Sequence, residues 1–373
     1  MSHWISKVRT RTLRDAPGNK PANVMGYDVI GEMLRPPLHD EFWNERSAAM
    51  RLDQIKVPVY SMGIWSSGGV HLAGNILGYE LAQGPKKLTL YGYPGSAQRL
   101  FAGKELHEEL KRWYDYWLKG IDTGIMDERP VRYQVRPTGE WRTAPSWPPP
   151  GVEPVRLYLA PGQAGAVQSL NDGSMAWQEP PAEGGSTSYD YPHEEWMGWP
   201  GGGTAVMRPD GTLDPLAKIA TFTTPPLEQD LELLGAITLK LWASSDQTDT
   251  DFLVKVADQA PAGERGSPPA GVTKGWLKAS HRELDQQRSR PDRPWHPHTN
   301  AEPLTPGEVY ELDLEIWPAS WVFKKGHRIR LEIAAGDSPP IDGGHDWGIK
   351  FGSDTVYHDR AHPSHLLLPV VKR

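Results

Sequence analysis

The chain has 373 residues, enough for two domains at roughly 150 residues each, and its 38 glycines and 36 prolines, scattered without a repeat, favour a turn-rich, strand-rich protein over a collagen-like one. A net charge of −7 without a basic stripe argues against a nucleic-acid partner. The absence of cysteine removes disulfides, thiolate catalysis and cysteine-based zinc sites, and with no signal-like start and no run of about 18 apolar residues the expectation is a cytoplasmic chain that makes no membrane contact.

In chain order, residues 1–55 are polar and irregular, with PPLHDEFWNERSA (Pro36–Ala48) reading as a turn and then a short helix capped by Asp40. From Val57 the pattern changes. VPVYSMGIW is a short apolar strand, VHLAGNILGYELAQ is helical, and KKLTLYGY is a second buried strand, a strand–helix–strand unit that implies parallel pairing. In GKELHEELKRWYDYWLKGID, Leu106, Leu110, Trp113 and Trp117 fall on one helical face. Early glutamates, a late Lys119 and the terminal Gly120 suit the helix dipole and a left-handed cap.

After Pro130 the grammar becomes alternation: VRYQVR, VRLYLA, ITLKLWASS, FLVKVAD, VYELDLEIW and HRIRLEIAA each predict a strand with one buried face. Many short strands joined by Gly/Pro-rich loops predict a jelly-roll β-sandwich, with a boundary near IMDERP.

Chemistry is sought first in WSSGG. A nucleophile elbow is G-x-S-x-G because both flanking positions must be small for the tight turn. Ser67 has Gly69 after it but Trp65 before it, and Ser66 is flanked by Ile64 and Gly68; the motif occurs nowhere else in the chain. His71 opens a helix at the C-terminal edge of the presumed parallel sheet, where ligands bind in open α/β folds, and is a candidate pocket residue beside Trp65, Ser66 and Ser67. His296 and His298 stand two apart around a proline and read as a hydrogen-bonded loop, since further metal ligands are not evident. His358, His362 and His365 read as packing before a last strand, and Asp249 and Asp251 as a turn without the later glutamate of an EF-hand. Neither a metal nor a cofactor is assigned.

The blocks PPLHDEFWNERSA, IKVPVYSMGIWSSGG, RWYDYWLKGIDTGIMDERPVRYQV, SSDQTDTDFLVKV, GWLKASHRELD, LTPGEVYELDLEIWPASWVFKKGHRIRLEIAAGD and HPSHLLLPVVKR occur in that order, and together they resemble the cocaine esterase and X-Pro dipeptidyl-peptidase family of serine hydrolases. The resemblance runs from about Pro36 to Arg373 and implies a partial α/β-hydrolase (the last strand–helix units plus a cap remnant) followed by an all-β jelly-roll sandwich. The corresponding divisions are a cap-like segment at 1–55, the C-terminal part of the hydrolase domain at 56–128 and the sandwich at 129–373. In the family a serine attacks an ester or amide carbonyl, a histidine takes its proton and an aspartate orients the histidine.

By the same resemblance the nucleophile would precede this sequence, the aspartate slot after VPV falls on Ser67, and the histidine slot falls on Gly95 or Ser96. WSSGGVHLAGN is closer to a branch with a Trp, Gly-rich, His-Leu-x-Gly-Asn corner, which adds Asn75 to the candidate pocket. The expected substrate is a small-molecule ester or peptide once an N-terminal half completes the site, with an inert binding module or half of a split hydrolase as alternatives. An uncovered strand edge would then drive self-association, or binding of that half, through residues 57–93, unless residues 1–55 fold back over it.

Overall fold

The computed structural model describes residues 38–65, 71–92, 103–166, 173–191, 219–261, 270–335 and 352–372. Helix α1 (Glu41–Arg46) starts where Asp40 accepts a hydrogen bond from the Phe42 amide, as the sequence predicts, and leads into a 3₁₀ segment, Ala48–Gln54. Strand β1 (Val59–Ile64) runs parallel to β2 (Lys86–Tyr91), and helix α2 (Leu72–Leu81) makes the crossover between them. Helix α3 (Lys104–Lys119) closes at Gly120, whose φ of 68° places it in the left-handed region that favours glycine.

The first sheet has four strands in the order β1-β2-β3-β4. This corrects one expectation. Strand β3 (Val131–Gln134), which the alternation places at the start of the sandwich, extends the first sheet instead, parallel to β2, and is followed there by β4 (Trp141–Ala144), antiparallel to β3. Helix α2 covers one face with Leu72, Ile76 and Tyr79 against Leu88, Leu90 and Val131. Leu88 and Leu90 are wholly buried, so truncating either to alanine is worth about 2–5 kcal/mol. Helix α3 covers the other face, where Trp113 packs 5.2 Å from the Tyr60 ring.

The remaining described strands are β5 (Val152–Gln163), β6 (Gly173–Ala176), β7 (Ser186–Tyr191), β8 (Ala220–Thr223), β9 (Leu231–Ser245), β10 (Asp251–Gln259), β11 (Ala270–Lys278), β12 (Tyr310–Phe323), β13 (Arg328–Ala334), β14 (Gly352–Tyr357) and β15 (His365–Val371). They form a sandwich in the order β12-β11-β10-β13-β8-β6-β5-β15-β9-β14-β7, with β9 also paired to β12 so that the ring of strands closes. Its core includes Leu157, Phe222, Leu239, Val254, Leu314, Leu331 and Leu366, all nearly or wholly inaccessible. The closure between β11 and β12 rests on one registered pair, Gly275 opposite Ile316. A side chain at Gly275 would lie 2.0 Å from the Glu315 carbonyl oxygen, which is why the close approach needs glycine.

A second correction concerns FLVKVAD and HRIRLEIAA, where the alternation predicts one solvent-facing side. Lys255, Arg330 and Glu332 are buried. Lys255 stands directly opposite Glu332 in the β10–β13 register, and Glu332 takes Lys255 at 2.8 Å and Arg330 at 2.7 Å. Burial raises the Glu332 carboxyl, but the two cations outweigh it and hold it below its usual range, which lets the polar face be covered. The two sheets meet where Leu234 and Val322 of the sandwich enter the α2-side core and the Val322 amide donates to Arg136 O at 2.7 Å.

Candidate functional site

The carboxyl ends of β1 and β2 form a rim at which α2 begins. Trp65, just past β1, is buried; its amide donates to Tyr91 O at 3.0 Å and its indole Nε1 to Gln134 O at 2.8 Å. A buried indole needs such a partner. Gln134 of β3 also receives the Gly92 amide on its Oε1 at 2.7 Å, so this one residue holds the end of β1 through its backbone carbonyl and the end of β2 through its side chain. Sequence reasoning missed Gln134, because its role depends on β3 joining this sheet.

Asn75 lies on α2 against β1, where the Ser61 hydroxyl donates to Asn75 O at 2.8 Å and Asn75 Nδ2 reaches Ser61 Oγ at 3.4 Å. A side chain on Gly63 would come within 3.0 Å of Asn75 Oδ1, so glycine and asparagine fit as a pair. His71 is exposed at the N-cap of α2 and makes no side-chain capping bond. Ser66 and Ser67 lie outside the described residues, as do Gly95 and Ser96. Of the candidates, then, Trp65 and Asn75 are fixed by separate framework contacts and His71 faces solvent. With its serine committed to a carbonyl, the described part of the rim holds no proton relay of its own.

Under α3 the same sheet carries a polar trough of about 480 Å³ lined by Tyr91, Glu105, Glu109, Arg132 and Trp141 among others. Glu109 accepts from the Tyr60 hydroxyl and stands 3.6 Å from Arg132, whose guanidinium lies 4.1 Å over the Trp141 ring. Burial, reinforced by Glu109, raises the Tyr60 and Tyr91 hydroxyls well above the usual tyrosine value, so both stay protonated there. The signal for this trough is the spacing of Glu105 and Glu109, one turn apart on α3.

The histidines settle into the sandwich. His296 takes both ring nitrogens to backbone carbonyls, Glu283 O at 3.0 Å and Asp313 O at 2.8 Å, while His298 Nδ1 meets His281 Nδ1 at 3.0 Å. Burial pushes His298 down to about 4. His358 bonds to Thr187 at 3.1 Å, His362 packs on Trp242, and His365 packs tilted against Tyr158. Asp249 accepts from the Ser280 amide and hydroxyl, and both Asp249 and Asp251 lie within ion-pair reach of Lys278, cross-linking a turn. A cleft of about 880 Å³ opens on the outer face of β5, β15 and β9. Among the described residues no helix is long and apolar enough to cross a membrane.

Comparison with known proteins places these features. The family model of the X-Pro dipeptidyl-peptidase C-terminal non-catalytic domain matches residues 123–367. The chain is 32% identical over 279 residues to a protein of Mycobacterium bovis provisionally named a serine esterase, covering 71% of this chain and 41% of that one. It is 24% identical to a cocaine esterase of a Rhodococcus species, covering 92% and 62%. The chain thus spans about half the length of the curated relatives it matches. In fold it is similar to a CocE/NonD family hydrolase from Staphylococcus aureus, with a TM-score of 0.76 and 24% identity over 93% of this chain and 59% of that one.

Proposed function

Because the chain belongs to the family of the X-Pro dipeptidyl-peptidase C-terminal non-catalytic domain, we propose that it serves as the C-terminal portion of a serine hydrolase cutting ester or amide bonds. The observation carrying this reading is the match across 123–367 in a sequence that contains no G-x-S-x-G. The ester and X-Pro hydrolase names of the relatives support the bond class.

On this reading the parallel β1–α2–β2 unit represents the last strand–helix units of an α/β-hydrolase sheet, residues 1–55 a cap-like segment, and WSSGG the corner at which such a sheet usually holds its acid. Trp65, Gln134 and Asn75 tie together the described strand and helix ends beside it. Among the described residues β1 pairs only with β2, and Val57 beside it is 66% exposed. A complementary N-terminal half therefore docks along β1, covering an edge that would otherwise promote association.

The test is labelling with a fluorophosphonate probe. The chain alone stays unlabelled and does not hydrolyse p-nitrophenyl acetate, because no activated nucleophile is present. Co-expression with a catalytic half encoded upstream restores both signals on that half. Stoichiometric labelling of this chain that Ser67→Ala abolishes overturns the reading.

A further inference from the structure

The cleft on the sandwich is built from the register of three strands. Arg156 of β5 stands opposite Leu367 of β15, which stands opposite Thr238 of β9, and Pro154 pairs with Pro369 one row along. Their sequence neighbours Leu157, Leu366 and Leu239 point the other way and are wholly buried in the sandwich core, so Arg156, Leu367, Pro154 and Pro369 share the outer face by strand alternation. Loop residues turn this face into a trough: Pro148 and Pro291 line it, as does Trp177, which is 39% exposed. Its volume, about 880 Å³, is in the range of small-molecule sites.

The charges in the trough are unequal. Glu179 receives the Tyr158 hydroxyl at 3.4 Å, and Asp292 is paired with Arg290 at 3.2 Å. Among the described residues the Arg156 guanidinium has neither a hydrogen bond nor an ion pair. Glu179 is held by a neutral hydroxyl, so an apolar floor beside a guanidinium without an ion pair leaves neutral apolar molecules without a partner for that charge. The planar fork of arginine suits a carboxylate, which it binds through two parallel hydrogen bonds.

We propose that this cleft is a binding site for an amphipathic carboxylate, with its hydrocarbon body on Pro154, Leu367 and Pro369 and its carboxylate on Arg156. The inference does not depend on the hydrolase reading, since it rests on the sandwich alone. His365, opposite Tyr158 in the next row, reports on it independently: its imidazole is lowered chiefly by burial, with a further contribution from the Arg156 charge.

The test uses octanoate and its neutral analogue octanamide, by calorimetry on the full chain. Octanoate binds one to one and octanamide at least ten-fold more weakly. Arg156→Gln, at an exposed position, keeps the thermal midpoint and weakens octanoate by roughly ten-fold or more, the range for a hydrogen bond to a charged group. By NMR, octanoate raises the titration midpoint of His365 in the wild type and leaves it unmoved in Arg156→Gln. Equal binding of the two ligands, equal octanoate affinity in Arg156→Gln, non-stoichiometric uptake or no uptake overturns the proposal.

Discussion

Substituting Asp354 with asparagine tests whether the buried polar cluster of the sandwich titrates as its surroundings dictate. Asp354 is wholly inaccessible in β14, and its Oδ2 accepts from Thr250 Oγ1 at 3.0 Å and the Tyr189 hydroxyl at 3.1 Å. Burial raises its carboxyl from an ordinary 3.8 to about 6, against the opposing pull of these hydroxyls. The sign follows from linkage. Below about pH 4 both folded and unfolded states carry the proton; between 4 and 6 the unfolded chain releases it while the folded one keeps it, so stability falls as pH rises. At 1.36 kcal/mol per pH unit, the drop is about 3 kcal/mol and is complete above about pH 6. Asparagine keeps the size and a carbonyl acceptor for both donors but does not titrate. Urea unfolding followed by tryptophan emission at pH 4, 5, 6 and 7 should therefore show wild type losing about 2 kcal/mol relative to Asp354→Asn across the series, the rest of the drop having occurred by pH 4. Titrations common to both proteins cancel in that difference. A difference that stays constant within about 1 kcal/mol, or one that changes in favour of wild type as pH rises, refutes the account.

Three further outcomes follow from single contacts. Gly275→Ala forces a carbon into the Glu315 carbonyl at 2.0 Å and should destabilise by at least the 1–3 kcal/mol typical of overpacking, seen as a lower thermal midpoint. Trp65→Phe retains an aromatic ring but leaves Gln134 O without its indole donor at 2.8 Å, costing about 1–3 kcal/mol by thermal or urea melts. Light scattering of the isolated chain should give a mass above that of the monomer, with amide exchange at 59–64 slowing when a complementary half is added; a monodisperse monomer with that strand already strongly protected removes the open-edge argument.

Local signals in the sequence were the legible ones. Asp40 and Gly120 mark helix ends by chemistry confined to a few neighbours, and the spacing of Leu106 and Trp113 gives the buried face of α3. Alternation at 131–134 correctly indicates a strand with Val131 and Tyr133 inward, but it carries no record of which sheet that strand joins, since pairing is decided by partners far along the chain. The same limit hid Gln134. In HRIRLEIAA the pattern shows a polar face and leaves open whether anything covers it; the Glu332 pairs with Lys255 and Arg330 make covering tolerable, and only the register reveals them. At the candidate corner, residue types point to a pocket, and the contacts that hold Trp65 and Asn75 in place come from partners the local sequence does not reveal.

The position of β15 has a kinetic consequence. It lies between β5 and β9, with His365 paired to both Tyr158 and Lys240. Its link to β5 joins residues about two hundred positions apart, the kind of contact that slows folding through loop-closure entropy. The ring of strands cannot close until the ribosome has passed Val371, and until then β5 and β9 each expose an edge. During that interval a nascent chain is open to mispairing with its neighbours, and the yield of folded protein should depend on translation rate and chaperone supply more steeply than its final stability suggests.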